Sequence, residues 1–245
     1  TYNCIGLVYH KQKIYDKALE YFNKALDISD SVLGKDSLDS ATSYNNIGLV
    51  FCFQGNFEKS LQYLHCALSI INKRLDKKHP IIANTYNNLG LVYSYLKQYK
   101  VALEYYNKAL DIRLAKLGEN HPDIADSYNN IGFMYFSQSM YEEALAYYSK
   151  AINILKRGVG EKSLYTAATY NNIGLVYANI NMNNEALNFY NKALKIKKTF
   201  WRENHHEIAN LYNNIGHVYC KQKDYRNALV YLKKAFEIQR NYVDD

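Results

Sequence analysis

The side chains best equipped for chemistry in this chain are asparagines that come in pairs. Asn45 and Asn46, Asn87 and Asn88, Asn129 and Asn130, Asn171 and Asn172, and Asn213 and Asn214 recur at one place in a repeated hexapeptide, SYNNIG or a near copy; Asn3 and Cys4 hold the sixth place. A carboxamide carries both donor and acceptor, the complement of a peptide unit. A row of them can hold an extended chain by its backbone, whatever its side chains. At ~0.5–1.5 kcal/mol net per hydrogen bond, about four to six contacts supply several kcal/mol before the ordering of the peptide is subtracted, which points to micromolar, tunable binding. Asn inside a helix costs a few tenths of a kcal/mol against Ala or Lys, so its repetition calls for a reason. The plain alternative is that recently duplicated repeats copy every residue, and that Asn on a solvated face does no harm.

Other reactive groups do not assemble. His79, His121 and His205 share a column, yet each lies in a different inter-repeat turn without Cys or carboxylate companions at ligand spacing, so no metal site is expected. His65 and Cys66 are adjacent on a helix and point in different directions. Glu142 and Glu143 read as solvated charge, and GVGEK at Gly158 to Lys162 lacks the spacing of a phosphate loop. No catalytic set and no cofactor are expected, and the chain reads as a non-enzyme.

The elements that must position the asparagines follow from a period. Gly6, Gly48, Gly90, Gly132, Gly174 and Gly216 are each 42 residues apart (48 minus 6, 90 minus 48, and so on), six copies without insertions. Such self-similarity marks a solenoid in which each unit buries its apolar face against its neighbours. In the third copy, Pro80 can open a helix, and Ala83, Tyr86, Leu89, Gly90 and Tyr93 keep helical spacing to about Tyr95. After a break at Leu96, Lys97 and Gln98, a second pattern runs through Tyr99, Ala102, Leu103, Tyr106, Ala109, Leu110 and Ile112. Gly90 and Ala102 let the two helices approach, with Tyr86, Tyr93 and Tyr106 filling the space around them. Ser60 is the one departure in kind from these columns. Gly34, Gly118 and Gly160 suit a left-handed residue after the second helix; Asp76 and Arg202 fill that column elsewhere. The asparagines then lie on the face of the first helix turned away from its partner.

Composition narrows the class. The 245 residues include only two prolines, and no apolar run is long enough to span a bilayer. Four widely spaced cysteines without a CxxC pair fit a reducing compartment, with the cytoplasm as the default. The net charge of +7 is scattered and compatible with an acidic partner. No signal segment is visible. The first residue already lies inside a repeat and the chain stops at Asp245 without a polar capping helix, so a fragment of a longer protein is expected.

The order aromatic, Leu/Ile-Gly, Tyr, Ala, aromatic, Ala resembles the tetratricopeptide repeat over the whole chain. The 42-residue period with LGENHPDIADSYNNIG (Leu117 to Gly132) bridging units is similar to the kinesin light chain group. LDKKHP at Leu75 to Pro80 keeps that bridge; Ser37-Leu38 and Ser163-Leu164 lack the His-Pro pair, and His205-His206 replaces the proline. The heptad region of kinesin light chains is not in the sequence. The resemblance implies an all-α, right-handed superhelical solenoid of six helix-turn-helix repeats, starting near 1, 38, 80, 122, 164 and 206 in one domain. It implies a protein-interaction scaffold whose concave groove is lined by the first helices, with the Asn columns in contact with bound peptides.

Specificity must come from columns that vary. Phe53, Tyr95, Phe133 and Phe136 could form an anchor for a bulky apolar side chain, while His10 and Lys11 at one end and His217 and Lys221 at the other are basic. An acidic peptide with an apolar centre suits that arrangement. Alternatively, these aromatics pack against neighbouring first helices and are mostly buried. A second functional reading is a sensor or regulatory module of a larger signalling protein. A third, RNA binding by analogy with pentatricopeptide repeats, is encouraged by charge and opposed by near-identical groove residues, which would read only a monotonous sequence. No membrane partner is expected.

Overall fold

Each helix-row glycine meets a large side chain of the following helix, and that meeting sets the architecture. In the computed structural model, which describes residues 1–76, 79–202 and 205–241, an ideal Cβ built on Gly90 would lie 2.8 Å from the Tyr106 ring. The same collision recurs at Gly132 with Tyr148 and at Gly174 with Tyr190, and with Leu64 and Leu232 at Gly48 and Gly216. Only glycine lets the helices of a pair come this close. Lys77 and Lys78 in the Leu75–Pro80 bridge, and the stop at Asp245, lie outside the described residues.

The chain forms an all-α solenoid of paired helices, described as two compact units, 1–117 and 118–245. The first unit holds α1 (Tyr2–Lys11), α2 (Tyr15–Val32), α3 (Leu38–Phe53), α4 (Phe57–Arg74), α5 (Pro80–Tyr95) and α6 (Tyr99–Lys116). The second holds α7 (Pro122–Ser137), α8 (Tyr141–Gly158), α9 (Leu164–Asn179), α10 (Asn183–Phe200), α11 (His206–Lys221) and α12 (Tyr225–Asn241). Odd-numbered helices are the first of each pair. In each unit they pack on their partners, on the preceding second helix, and on each other, α1 on α3 on α5 and α7 on α9 on α11.

Two aromatic roles separate inside a repeat. Tyr106, Tyr148 and Tyr190 are buried against the glycines, with Ala102, Ala144 and Ala186 fully buried beside them. Tyr86 and Tyr93, expected to fill that same space, instead flank Tyr105, which stacks on Tyr93 at 5.5 Å and 6°. The reason is angular: one residue along a helix turns the side chain by about 100°, so Tyr105 and Tyr106 serve different neighbours. The flanked ring recurs as Tyr147 and Tyr231, and each lies under a lysine, Lys150 and Lys234, as Tyr105 lies under Lys108. Ser60 is accommodated because its hydroxyl donates to the Gly48 carbonyl at 2.7 Å, which satisfies the only polar atom it adds to the Ala column.

Turns between repeats fall into two kinds. After α2 and α8 the chain passes through Gly34 and Gly160 at φ +87°, and Ser37 and Ser163 cap the next helix by accepting from the backbone N–H of Ser40 and Thr166. After α4, α6 and α10 it leaves extended at Leu75, Leu117 and Trp201, and the carbonyls of Asp76, Gly118 and Arg202 accept from the N–H of His79, His121 and His205. Gly118 is therefore not left-handed, contrary to expectation; this turn requires no positive φ, which is why Asp76 and Arg202 serve equally. In the turns inside repeats, Lys13, Gly55, Lys97, Ser139, Asn181 and Lys223 occupy the left-handed region, a column that only Gly55 marks in the sequence.

The His column has a structural role. Nδ1 of His79, His121 and His205 accepts from the N–H of Ile81, Asp123 and Glu207, capping α5, α7 and α11. An Nδ1 that accepts must be unprotonated. Burial, the neighbouring His206 and Lys197 hold the His205 pKa below its ordinary value of 6.5. A folded pKa below the unfolded one means the unfolded chain binds more protons, so this contribution is complete above pH 6.5 and fades as pH falls through the folded pKa. The His205→Ser variant, which imports the cap of the other turn type, is expected to lose stability less steeply than the parent as pH falls below neutral. Urea midpoints of both proteins at neutral and mildly acidic pH check this; equal pH slopes would refute it.

Candidate functional site

The paired asparagines are linked from repeat to repeat. Asn46 donates to Oδ1 of Asn3 at 3.4 Å, Asn88 to Asn45 at 3.2 Å and Asn214 to Asn171 at 3.0 Å, each across 43 positions. The second amide of one repeat thus reaches the first amide of the repeat before it. Asn3 also donates to the Ser43 hydroxyl at 3.2 Å, and Asn129 to that of Thr169 at 2.9 Å. Asn88 is buried, while Asn45, Asn46, Asn87, Asn129, Asn130, Asn171, Asn172, Asn213 and Asn214 are half-buried. A bond of this kind uses one of two N–H groups on the donor and one of two lone pairs on the acceptor. Asn3, Asn45, Asn46 and Asn88 in one unit, and Asn129, Asn171 and Asn214 in the other, are thus tied along the first helices, beside the exposed Thr42 and Asn84 in one and Ala168 and Asn210 in the other.

The aromatic candidates are open to solvent to different degrees. Phe53 and Tyr95 are 41% and 49% exposed and meet edge to face at 6.4 Å, with Phe57 stacked on Tyr95 at 5.9 Å and His10 edge to face with Phe53 at 5.2 Å. In the second unit Phe133 is 46% exposed and lies 6.2 Å from Phe136, which is half-buried against Tyr141.

The expected basic ends change character. Burial lowers the pKa of His10, and among the described residues its buried Nε2 has no hydrogen-bond partner, so the surroundings favour the neutral imidazole. Lys11 remains exposed beside it. The Lys221 ammonium donates to the Ala178 carbonyl of α9, a cation placed at the negative end of a helix. His217 is exposed on α11.

Among the described residues, no group of three or more His, Cys, Asp or Glu is placed to hold a metal ion, and no helix is long and apolar enough to cross a membrane. Cys52 is buried, and burial pushes its thiol to about 11. Cys4 and Cys66 are exposed.

The tetratricopeptide repeat family model matches residues 1–73, 39–115 and 116–199, and a second model of that repeat matches 209–242. The chain belongs to the tetratricopeptide repeat family. Its fold is similar to that of BtubC (BKLC) from P. vanneervenii, with a TM-score of 0.76 at 20% identity over 93% of this chain and 92% of that one. A Podosopora anserina protein assigned as a kinesin light chain, with nearly identical TPR-like repeats, gives 0.64 at 16% identity over 82% and 95%. Aspartyl phosphate phosphatase F from Bacillus subtilis gives 0.69 at 18% over 97% and 69%. No curated protein sequence matches. In this tetratricopeptide repeat chain, sequence reasoning missed the His caps, the inter-repeat amide bonds and the Tyr105 column; the 42-residue recurrence of His before a helix start was the signal for the first.

Proposed function

We propose that the chain is a protein-interaction scaffold that grips an extended acidic peptide along the first helices. The observation that carries this reading is the set of bonds that ties Asn3, Asn45, Asn46 and Asn88 in one unit, and Asn129, Asn171 and Asn214 in the other, between repeats. Side chains already ordered lose little entropy when a ligand binds, so their remaining N–H groups and lone pairs can meet a peptide backbone at small further cost. The exposed Phe53 and Tyr95, and Phe133 in the second unit, supply apolar anchors; Lys11 supplies charge for an acidic flank in the first unit, and the exposed His217 a hydrogen-bonding group in the second. A reducing, cytoplasmic setting fits the free thiols of Cys4, Cys52, Cys66 and Cys220.

A displayed-peptide selection tests the reading. Peptides enriched on the parent protein are expected to bind the Phe53→Ala/Tyr95→Ala variant about tenfold more weakly, at unchanged helicity. Selection of the same peptides with equal affinity by the variant would sink the anchor. Asn45→Ala separates the amide roles: lost stability with unchanged peptide affinity would leave the amides as inter-repeat ties alone. A second reading, the repeats as the regulatory module of a signalling protein, draws on likeness of fold to aspartyl phosphate phosphatase F.

A further inference from the structure

The six copies allow each position to be compared with its equivalents in the same chain, and one region departs from the pattern. Where Asp27, Ser69, Asp111, Asn153 and Glu237 fill a column on the second helices, the fifth copy has Lys195. Lys156 stands where the first three copies have Asp30, Asn72 and Leu114 and the last two have Lys198 and Arg240, so that column is basic only in the second half of the chain. Both charges border Tyr170. Beside this residue a hollow of about 280 Å³ is lined by Lys162, Lys195, Ile196, Thr199 and Glu161, and a second of about 260 Å³ by Ile152, Ile173, Phe189 and Lys156. Tyr170 and Lys192 border both.

A carboxylate already shows how this surface receives an acid. Glu161 accepts from the Tyr170 hydroxyl at 3.0 Å and lies 3.3 Å from the Lys156 ammonium, and these two partners hold its pKa below the usual range. Lys162, Lys192 and Lys195 exceed what this one carboxylate neutralises. We propose that the surface formed by α8, α9 and α10 around Tyr170 docks an acidic peptide segment, its carboxylates on Lys162 and Lys195 and one apolar side chain in the hollow floored by Ile196. Charge complementarity selects this occupant. A nucleic acid fits worse, because stacking needs an open aromatic face and Lys192 lies over the rings of both Tyr170 and Phe189, at 5.8 and 4.9 Å from their centroids. The proposal is independent of the amide row, and its failure would leave that reading untouched.

The test uses the whole chain and a fluorescein-labelled oligoglutamate peptide carrying one central leucine, followed by anisotropy at low salt. Lys162→Asn/Lys195→Asp introduces residues that sister repeats carry at these positions, Asn120 and Asp111, so the helices should persist. It is expected to bind about tenfold more weakly than the parent. Lys223→Asn/Lys233→Asp, with the same charge change elsewhere in the second unit, is expected to bind within about twofold of the parent. The proposal fails if this control weakens binding as much, if serine in place of leucine binds equally well, or if oligouridylate displaces the peptide from the parent but not from the Lys162→Asn/Lys195→Asp protein.

Discussion

Tyr190→Ala is expected to destabilise the second unit by about 3–5 kcal/mol, the range for removing a fully buried aromatic ring. Tyr190 is 1% exposed, and its ring fills the space that Gly174 leaves, where a Cβ would stand 2.7 Å from it. The cavity cannot collapse easily, because Ala186 and Ala193 on the same helix have no side-chain length with which to close it. Tyr190→Leu should lose much less, since Leu64 and Leu232 serve the same purpose beside Gly48 and Gly216. Urea unfolding followed by helical ellipticity measures both. A loss below about 1 kcal/mol for Tyr190→Ala would show that the ring is not what holds α9 to α10.

Gly90→Val applies the opposite stress in the first unit. Its Cβ would fall 2.8 Å from Cδ1 and Cε1 of Tyr106, a ring only 2% exposed and so unable to swing away. Overpacking of this kind costs about 1–3 kcal/mol, and a β-branched side chain with few rotamers places the result near the upper end. Gly118→Ala is the matched control, because a methyl group there would meet no atom within 4 Å and the backbone is not left-handed. Thermal melts of the two variants should differ clearly; equal melting temperatures would mean that α5 can move off α6 without loss.

The pattern of residues made the helices and the Gly–Tyr contacts legible, because both depend on spacing within one helix or between partners joined by a short turn. Gly90, Ala102 and Tyr106 declare themselves in this way. The amide bonds did not, since pairing Asn88 with Asn45 rather than Asn46 depends on how far one first helix slides along the next. That offset is set by packing across 43 positions and leaves no period of its own. Likewise His10 reads as a charge until its burial is known, and Lys221 as an unengaged cation until the Ala178 carbonyl is found beside it. His79, His121 and His205 were visible as a column, but their task depends on the direction of Nδ1, which sequence does not encode in its spacing.

The two kinds of inter-repeat turn bear on how such a gene can change in length. Because His79-Pro80 and His121-Pro122 open the same turn geometry, unequal crossing-over between them would excise residues 80–121, one period of 42, and rejoin like with like. The same exchange between Ser37 and Ser163 would remove three periods, 126 residues (163 minus 37), and again restore an identical cap. Recombination between unlike turns would instead splice a left-handed glycine to a histidine cap. The connectors thus favour exchange between turns of one kind, since only those rejoin a cap to the turn geometry it closes.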